Sequence, residues 1–199
     1  MLSPAGFALV ERLRKLTELD LPADGLDDAA LGSLNSLAEL KSLTLKGGDF
    51  SGTGFGGSVP TRPLAKLERL DVSGSHFDDA GCIRLARFCP KLATLTLSGT
   101  QVTDVGLKPL AKLPNLWNLN LNRTALSDAG LDVLRQFTRL SSVRTTHTRV
   151  TRAGTHALKN ARPKLYVQDD LSSLLDYQAR TANGTALVDD DPVTTEPAN

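Results

Sequence analysis

Leu92-Ala-Thr-Leu95-Thr-Leu97-Ser-Gly-Thr100-Gln-Val102-Thr-Asp-Val-Gly106-Leu107-Lys-Pro-Leu110 is the stretch that decides the fold of this 199-residue chain, because its pattern of leucines returns throughout the sequence. The first leucine of each unit falls at positions 16, 40, 67, 92, 116, 140 and 165. The starts are separated by 24, 27, 25, 24, 24 and 25 residues. A period of this length predicts a row of stacked structural repeats.

Each unit is expected to contain a short strand followed by a helix. In Leu95-Thr-Leu97 the leucines alternate with a polar residue, which predicts a strand with both leucines on one face. A hydroxyl residue before an aspartate, as at Thr103-Asp104, supplies a side-chain oxygen that can cap a helix. Leu107, Leu110 and Leu113 then recur at helical spacing, so we expect them to face back toward the strand.

A single unit is not expected to fold alone. About seven apolar side chains per unit, at ~2 kcal/mol each, contribute roughly 14 kcal/mol on full burial. Ordering the 24 residues of a unit costs at least as much, at ~1 kcal/mol per residue. Stacking against neighbouring units is therefore obligatory. Leucine accounts for 36 of the 199 residues, a composition that suits near-identical units laid side by side.

A small residue recurs eight positions after the first leucine of each unit. The column contains Asp24, Gly48, Ser75, Thr100, Thr124 and Thr148. Its hydroxyl groups can bond backbone groups of the adjacent turn that packing would otherwise leave unpaired. We interpret this column as structural.

The repeat pattern resembles the leucine-rich-repeat family, particularly its short bacterial form, at Ser98-Gly99-Thr100-Gln101-Val102-Thr103-Asp104. The stretch from Ala80-Gly81-Cys82 to Phe88-Cys89-Pro90-Lys91-Leu92 is also similar to the cysteine-containing repeats of F-box substrate adaptors. The resemblance covers about residues 5 to 168. It implies an α/β fold, a right-handed solenoid with about seven short parallel strands on a concave sheet and helices on the convex side. It specifies no function, because such repeats host many unrelated binding roles.

The array is expected to span residues 16–168 as about six repeats, with a closing strand near 165. Residues 1–15 align with the helical half of a repeat. They form either a capping helix opened by Ser3-Pro4 or the end of an earlier part of a longer protein. Within the C-terminal segment 169–199, residues 170–180 could form a short covering helix, and the polar sequence after about 181 predicts disorder.

The second unit departs from the regular pattern. Residues 46–57 contain six glycines in twelve positions. Because glycine disfavours helices, we expect a short or absent helix there and the most mobile part of the body over residues 46–63. Gly52-Thr-Gly54-Phe-Gly-Gly57 matches the glycine pattern of dinucleotide sites, but Pro60 and Pro63 follow where that motif requires a long helix. We interpret the segment as a loop filling a degenerate repeat and predict no cofactor.

Other candidate chemistry is weak. Cys82 occupies a core position and Cys89 lacks partners at metal-ligand spacing. The three histidines fall at different repeat offsets: His76, His147 and His156. We therefore predict no metal site and no enzymatic activity.

Charge and apolar patterning limit the expected partners and location. The net charge is +1, from 23 basic and 22 acidic residues, which disfavours nucleic acid and anionic membranes as partners. Two cysteines, the absence of a recognisable leader and the lack of a long apolar run lead us to expect a cytoplasmic location.

The residues beside the buried strand leucines predict a binding surface on the concave sheet. The central column is Asp20, Thr44, Asp71, Thr96, Asn120 and Arg144, flanked by Glu18, Ser42, Arg69, Thr94, Asn118 and Ser142 on one side and Pro22, Lys46, Ser73, Ser98, Asn122 and Thr146 on the other. With strands ~4.8 Å apart, seven strands give a strip roughly 29 Å long. We expect this strip to be polar and without a large aromatic anchor. Trp117 lies near its rim, either packed or exposed.

These observations predict a non-enzymatic interaction module that binds a protein or peptide. The predicted binding residues are Arg69, Asp71, Thr94, Thr96, Asn118, Asn120 and Arg144. Two other functions fit the same sequence, a substrate-recognition fragment of a multidomain or E3-ligase-like enzyme and an exported recognition or effector protein. A merely solvated face is the alternative interpretation of the same columns.

Overall fold

The computed structural model describes residues 13–56 and 64–170, and these form one sheet of seven parallel strands in chain order. The strands are β1 (Glu18–Pro22), β2 (Ser42–Lys46), β3 (Arg69–Asp71), β4 (Thr94–Thr96), β5 (Asn118–Asn120), β6 (Ser142–Arg144) and β7 (Tyr166–Gln168). The helices are α1 (Asp28–Ser33, continued by a 3-10 turn at Leu34–Ser36), α2 (Asp79–Phe88), α3 (Asp104–Leu110), α4 (Asp128–Leu134) and α5 (Arg152–Ala161). Each strand pairs with that of the next repeat, which confirms the predicted solenoid.

The core lies between the sheet and the helices. The central apolar residue of each strand is aligned with that of its neighbour, so that Leu70, Leu95 and Leu119 lie side by side. These leucines are buried in the same cluster as the helix residues Leu107 and Leu131. The alternation of strand side chains therefore directs leucines to the helices and leaves the polar residues on the opposite face.

The helices begin at the predicted capping residues. The side chain of Thr103 accepts a hydrogen bond from Val105 N, and the side chain of Ser127 accepts one from Ala129 N. The other helix starts are capped in the same way by Asp27, Asp78 and Thr151. Each cap satisfies a backbone N–H that the first helical turn leaves without a partner.

The aspartate at the first position of each of four helices joins that repeat to the next one. Asp79 Oδ1 accepts a hydrogen bond from Thr103 N at 2.8 Å, and its Oδ2 accepts one from Thr103 Oγ1 at 2.6 Å. The same bonds join Asp104 to Ser127 and Asp128 to Thr151, and Ser51 N and Oγ both donate to Asp28 Oδ2. We call Asp28, Asp79, Asp104 and Asp128 the aspartate ladder.

The glycine of the Asp-x-Gly helix start makes room for this ladder. A Cβ on Gly130 would overlap Asp104 Oδ1, and Gly106 and Gly154 stand in the same relation to Asp79 and Asp128. The motif thus specifies a contact between repeats as well as a helix cap. Sequence reasoning recognised only the cap.

The hydroxyl column closes the turns after the strands. Ser75 Oγ donates to Val72 O at 2.7 Å, and Thr100 Oγ1 donates to Leu97 O at 2.7 Å. Thr124 and Thr148 make the corresponding bonds in the next two units. These bonds to buried carbonyl groups confirm the structural interpretation of the column.

The glycine-rich segment of the second unit is packed. The described residues between β2 and β3 contain no helix, as predicted. Phe50 and Phe55 are wholly buried. Asn35 Oδ1 accepts from Gly56 N at 2.9 Å, and Asn35 Nδ2 donates to Gly54 O at 3.1 Å. These contacts attach residues 50–56 to the preceding repeat; the mobility expected over residues 46–63 stays a prediction, and 57–63 lies outside the described residues.

Asp28 links this segment to α1. Its Oδ1 accepts hydrogen bonds from Gly52 N at 3.0 Å and Gly54 N at 2.9 Å. Partial burial by itself would raise the pKa of Asp28, but hydrogen bonds from Gly54, Ser51 and Thr53 hold the pKa below its ordinary value.

The stability of the protein should therefore fall in acid through Asp28. Because the folded-state pKa is the lower one, the stabilising contribution is complete above the unfolded-state pKa, about 3.8, and is lost as the pH falls through the folded-state value. In urea denaturation, the free energy of unfolding should decline between pH 7 and pH 2.5. The decline should be shallower in Asp28→Asn than in the unchanged protein. The solvent-exposed Asp132→Asn serves as the control, and equal slopes in the two variants would contradict the assignment.

In the last repeat the strand begins one residue sooner after the first leucine than in the preceding repeats. β7 is the predicted closing strand, but Tyr166 pairs with Ser142, 24 residues earlier, although the leucines at 140 and 165 are 25 residues apart. A one-residue change of register exchanges the faces of a strand. Val167 therefore lies in the core and Tyr166 faces outward. The capping residues 1–12 and the segment 171–199, with its predicted helix and disorder, lie outside the described residues.

Candidate partner-binding surface

All seven predicted binding residues lie on the sheet face that points away from the helices. The central column runs in register through Asp20, Thr44, Asp71, Thr96, Asn120, Arg144 and Gln168, beside Glu18, Ser42, Arg69, Thr94, Asn118, Ser142 and Tyr166. We call these two columns the polar strip. Arg69 and Arg144 are exposed, whereas the other five predicted binding residues are half-buried. The strip is therefore one continuous surface, as the sequence predicts.

Several strip residues are held by local hydrogen bonds. Asp71 Oδ1 accepts from Ser73 N at 2.9 Å and from Ser73 Oγ at 2.5 Å. Asn120 Oδ1 accepts from Asn122 N at 3.0 Å. These side chains close the turns at the strand ends and have a structural role in addition to any role in binding.

The middle of the strip is less constrained. Within residues 13–56 and 64–170, the side chains of Thr94, Thr96 and Asn118 make no hydrogen bond to the protein. Their hydroxyl and amide groups are available to a ligand. Thr94 and Asn118 also adjoin each other across β4 and β5.

Two ion pairs involve strip residues and are largely open to solvent, although Asp71 itself is half-buried. Arg69 Nη2 lies 3.6 Å from Glu18 Oε1, and Lys46 Nζ lies 3.9 Å from Asp71 Oδ2. Exposed pairs of this kind contribute little to stability. A partner can replace them at small energetic cost.

A groove of about 570 Å³ runs along the carboxyl ends of β2 to β6. It is lined by Lys46, Asp71, Ser73, Gly74, Thr96, Ser98, Gly99, Asn120, Asn122, Arg123, Thr146 and His147. We call it the turn groove. It contains most of the third predicted column and adds Arg123 and His147, which sequence reasoning did not assign to the surface.

Arg123 and His147 have left-handed backbone conformations. Their φ angles are both 55°, and the corresponding positions of the three preceding units are Gly47, Gly74 and Gly99, with φ of 71°, 70° and 66°. Glycine adopts this conformation without steric cost, whereas other residues lose ~1–2 kcal/mol. The last two turns thus place a basic or titratable side chain where glycine would fit with less strain.

Comparison with known proteins agrees with this architecture. A family model described as a leucine-rich repeat matches residues 64–86 and 88–111. Leucine-rich repeat-containing protein 56 of Mus musculus is 37% identical over 97 residues, 49% of this chain and 16% of that protein. Its counterpart in Rattus norvegicus is 36% identical over the same length. The family model and these relatives identify the repeats of this chain as leucine-rich repeats. The match covers about one sixth of the length of these curated relatives.

Solved leucine-rich-repeat structures share the fold. An internalin of Listeria monocytogenes superimposes with a TM-score of 0.56 and 21% identity, covering 68% of this chain and 36% of the internalin. A leucine-rich-repeat protein of Leptospira interrogans gives 0.58 and 17%, covering 80% of this chain and 38% of that protein. At these identities the likeness concerns the fold alone.

The leucine-rich-repeat surface also has aromatic side chains, which corrects the expectation of a strip without them. Tyr166 is 54% exposed and occupies the flanking column of the strip, because of the early start of β7. Trp117, directly before β5, is 47% exposed, which answers the question left open by the sequence. Aromatic residues of this kind are frequent anchors of protein interfaces.

The glycine motif of the second repeat is not arranged to bind phosphate. The amide groups of Gly52 and Gly54 already donate to the Asp28 carboxylate. A phosphate would have to displace that carboxylate and would meet its negative charge. The residues therefore form a structural contact between repeats.

The cysteines and histidines are not grouped for chemistry. Burial raises the pKa of the Cys82 thiol, and burial likewise raises the pKa of Cys89 to about 12. Both thiols are therefore unreactive core groups. Among residues 13–56 and 64–170, no cluster of three His, Cys, Asp or Glu side chains could hold a metal ion. No helix in those same ranges has the length and apolar character needed to cross a membrane.

Proposed function

We propose that this chain is a non-enzymatic binding module that holds a protein or peptide partner on the polar strip. Leucine-rich-repeat folds are typical protein-interaction modules. The observation that supports the proposal most strongly is the in-register strip itself, which presents Arg69, Asp71, Thr94, Thr96, Asn118, Asn120 and Arg144 on one helix-free face.

The dimensions of the strip favour a short segment as the partner. Six inter-strand spacings make it ~29 Å long, and three-residue strands make it ~10 Å wide, or roughly 300 Å². A standard protein interface buries ~800 Å² on each side. A peptide or loop along the strip matches this area better than a flat domain. Trp117 and Tyr166 at the rim would enlarge the contact.

Acidic substitutions in the middle of the strip should abolish partner binding. Thr94→Glu with Asn118→Glu places two charged side chains on adjacent strands without removing any protein hydrogen bond. We expect retention of a specific partner, measured by affinity purification and quantitative mass spectrometry, to fall by at least ~10-fold, because a buried and unpaired charge costs several kcal/mol.

The matched control adds the same charge elsewhere. Gln136→Glu with Thr138→Glu changes two exposed residues after α4 and should leave every partner bound. Thermal unfolding of both variants verifies the fold. If the strip variant is folded and retains every partner, the polar strip is not the binding surface.

A further inference from the structure

Charge is unevenly distributed along the array although the chain is nearly neutral overall. Residues 121–170 contain nine arginines and lysines against four acidic residues, whereas residues 13–56 contain four against seven. The local charge of the array therefore changes sign between its first and its last repeats. Such a gradient orients a charged ligand.

Two guanidinium groups of the basic half lie on the ligand-accessible side. Arg144 belongs to the central column of the polar strip, and Arg123 lines the turn groove. The Arg144 Nε donates to Gln168 Oε1 at 3.0 Å. In the described parts of the chain, neither arginine lies within ion-pair distance of a carboxylate. Both retain their capacity to pair with an acidic group.

His147, which also lines the turn groove, already contacts a carboxylate of the chain itself. Its backbone N–H donates to Asp170 Oδ1 at 2.9 Å, and its Nδ1 lies 3.8 Å from the same oxygen. One carboxylate of the chain is therefore already placed at the end of the turn groove. Arg123 and Arg144 remain for carboxylates that come from elsewhere.

The backbone conformation is a second, independent indication. The turns after β2, β3 and β4 have glycines with positive φ in this column, but Arg123 and His147 adopt the same conformation at a steric cost. A purely structural turn would favour glycine here as well. The arginine at 123 adds a positive charge to the groove, and its conformation makes the turn less stable than a glycine turn.

We propose that Arg123, which lines the turn groove, and Arg144, which pairs across the sheet with the groove residue Asn120, bind an acidic peptide segment of a separate partner protein. This inference rests on the proposed binding function and specifies the chemistry of its ligand. The groove crosses five strands, from Lys46 on β2 to His147 after β6, or ~19 Å, the length of about six extended residues. Carboxylates of the peptide pair with the two arginines, and its uncharged residues lie over Thr96 and Ser98.

Titration of the full chain with a defined peptide tests the proposal. The probe is an octapeptide of alternating glutamate and serine, and the comparison is the same peptide with glutamine in place of glutamate. Amide NMR signals of Arg123, Arg144 and His147 should shift saturably with the acidic peptide alone. Raising the salt from 50 to 200 mM should weaken the binding, because the contacts are exposed ion pairs.

Substitutions separate the groove from general charge. Arg123→Gln with Arg144→Gln should weaken peptide binding at least ~10-fold. Arg139→Gln with Lys164→Gln removes the same charge before β6 and β7, away from the groove, and should weaken binding less than ~2-fold. Arg123→Gly should lower the affinity while leaving the thermal midpoint unchanged or higher, since it relieves the left-handed strain. A merely structural arginine would not combine these two effects.

Three results would overturn the proposal. They are equal shifts with the glutamine peptide, equal losses in the groove and control variants, and groove signals that move without peptide when Asp189, Asp190 and Asp191 are changed to asparagine. The third would show that the chain's own acidic segment is the occupant. If peptide binding fails while Thr94→Glu with Asn118→Glu still releases a natural partner, the acidic ligand is wrong and the binding function stands.

Discussion

Replacing Gly54 by alanine should lower the free energy of unfolding by ~3 kcal/mol, the upper part of the range for overpacked sites. A Cβ at this position would overlap the Asp28 carbonyl oxygen and lie 2.7 Å from Leu31 Cβ. The obstacle is backbone of the preceding repeat, which cannot move without disturbing α1. Thermal unfolding should show a midpoint lower by roughly 6–12 °C.

Gly32→Ala provides the matched control. Gly32 lies in α1, and nothing is within 4 Å of the position its Cβ would take. Because glycine weakens a helix interior, this change should stabilise the protein by ~0.5–1 kcal/mol. Opposite signs of the change in unfolding free energy for two glycine-to-alanine variants in adjacent repeats would show that close packing requires glycine at position 54. Equal thermal midpoints of the two variants would disprove that requirement.

Removing one member of the aspartate ladder should have the next largest effect. Asp104→Ala deletes the acceptors of Ser127 N, at 2.8 Å, and Ser127 Oγ, at 2.5 Å. Leaving these part-buried donors unpaired should cost ~1.5–3 kcal/mol, measured by urea denaturation. Hydrogen exchange at the Ser127 amide should accelerate, because the contact between α3 and α4 opens.

Two further variants distinguish a ladder contact from a general loss of charge. Asp132→Ala removes an exposed acid of α4 whose partner is Arg135 at 3.3 Å, and should change stability by less than ~0.5 kcal/mol. Asp104→Asn keeps one acceptor oxygen, and its loss of stability should lie between the losses of the two alanine variants. The ladder would have no stabilising role if Asp104→Ala and Asp132→Ala behaved alike.

The strands and outer columns were predictable because period-two alternation determines which face each side chain takes. Leu95 and Leu119 had to be buried, and the intervening residues Thr94 and Asn118 had to face outward. Alternation also holds from Leu165 to Val167, but the place of Tyr166 in the flanking column was missed. Its register depends on one residue lost between Leu165 and the strand, and leucine spacing does not reveal where in a turn a residue is missing.

Contacts between repeats were harder to predict than the elements themselves. Asp104 was expected to be part of a helix start, but its carboxylate reaches a residue 23 positions later. The glycines at 52, 54 and 56 suggested an open loop, because glycine is a poor helix former. Here they allow close approach of two repeats instead, a use of glycine that depends on three-dimensional neighbours.

The aspartate ladder also bears on how such an array can grow by gene duplication. A unit with a hydroxyl cap on one side and an aspartate on the other, as at Ser127-Asp128, carries both halves of its own junction. Copies of that unit inserted beside it would meet complementary surfaces without new mutations. Arg152 occupies the aspartate position in α5, so a copy of the last unit would present a cation to the next hydroxyl cap. Expansion is therefore expected to favour the internal repeats over the final one.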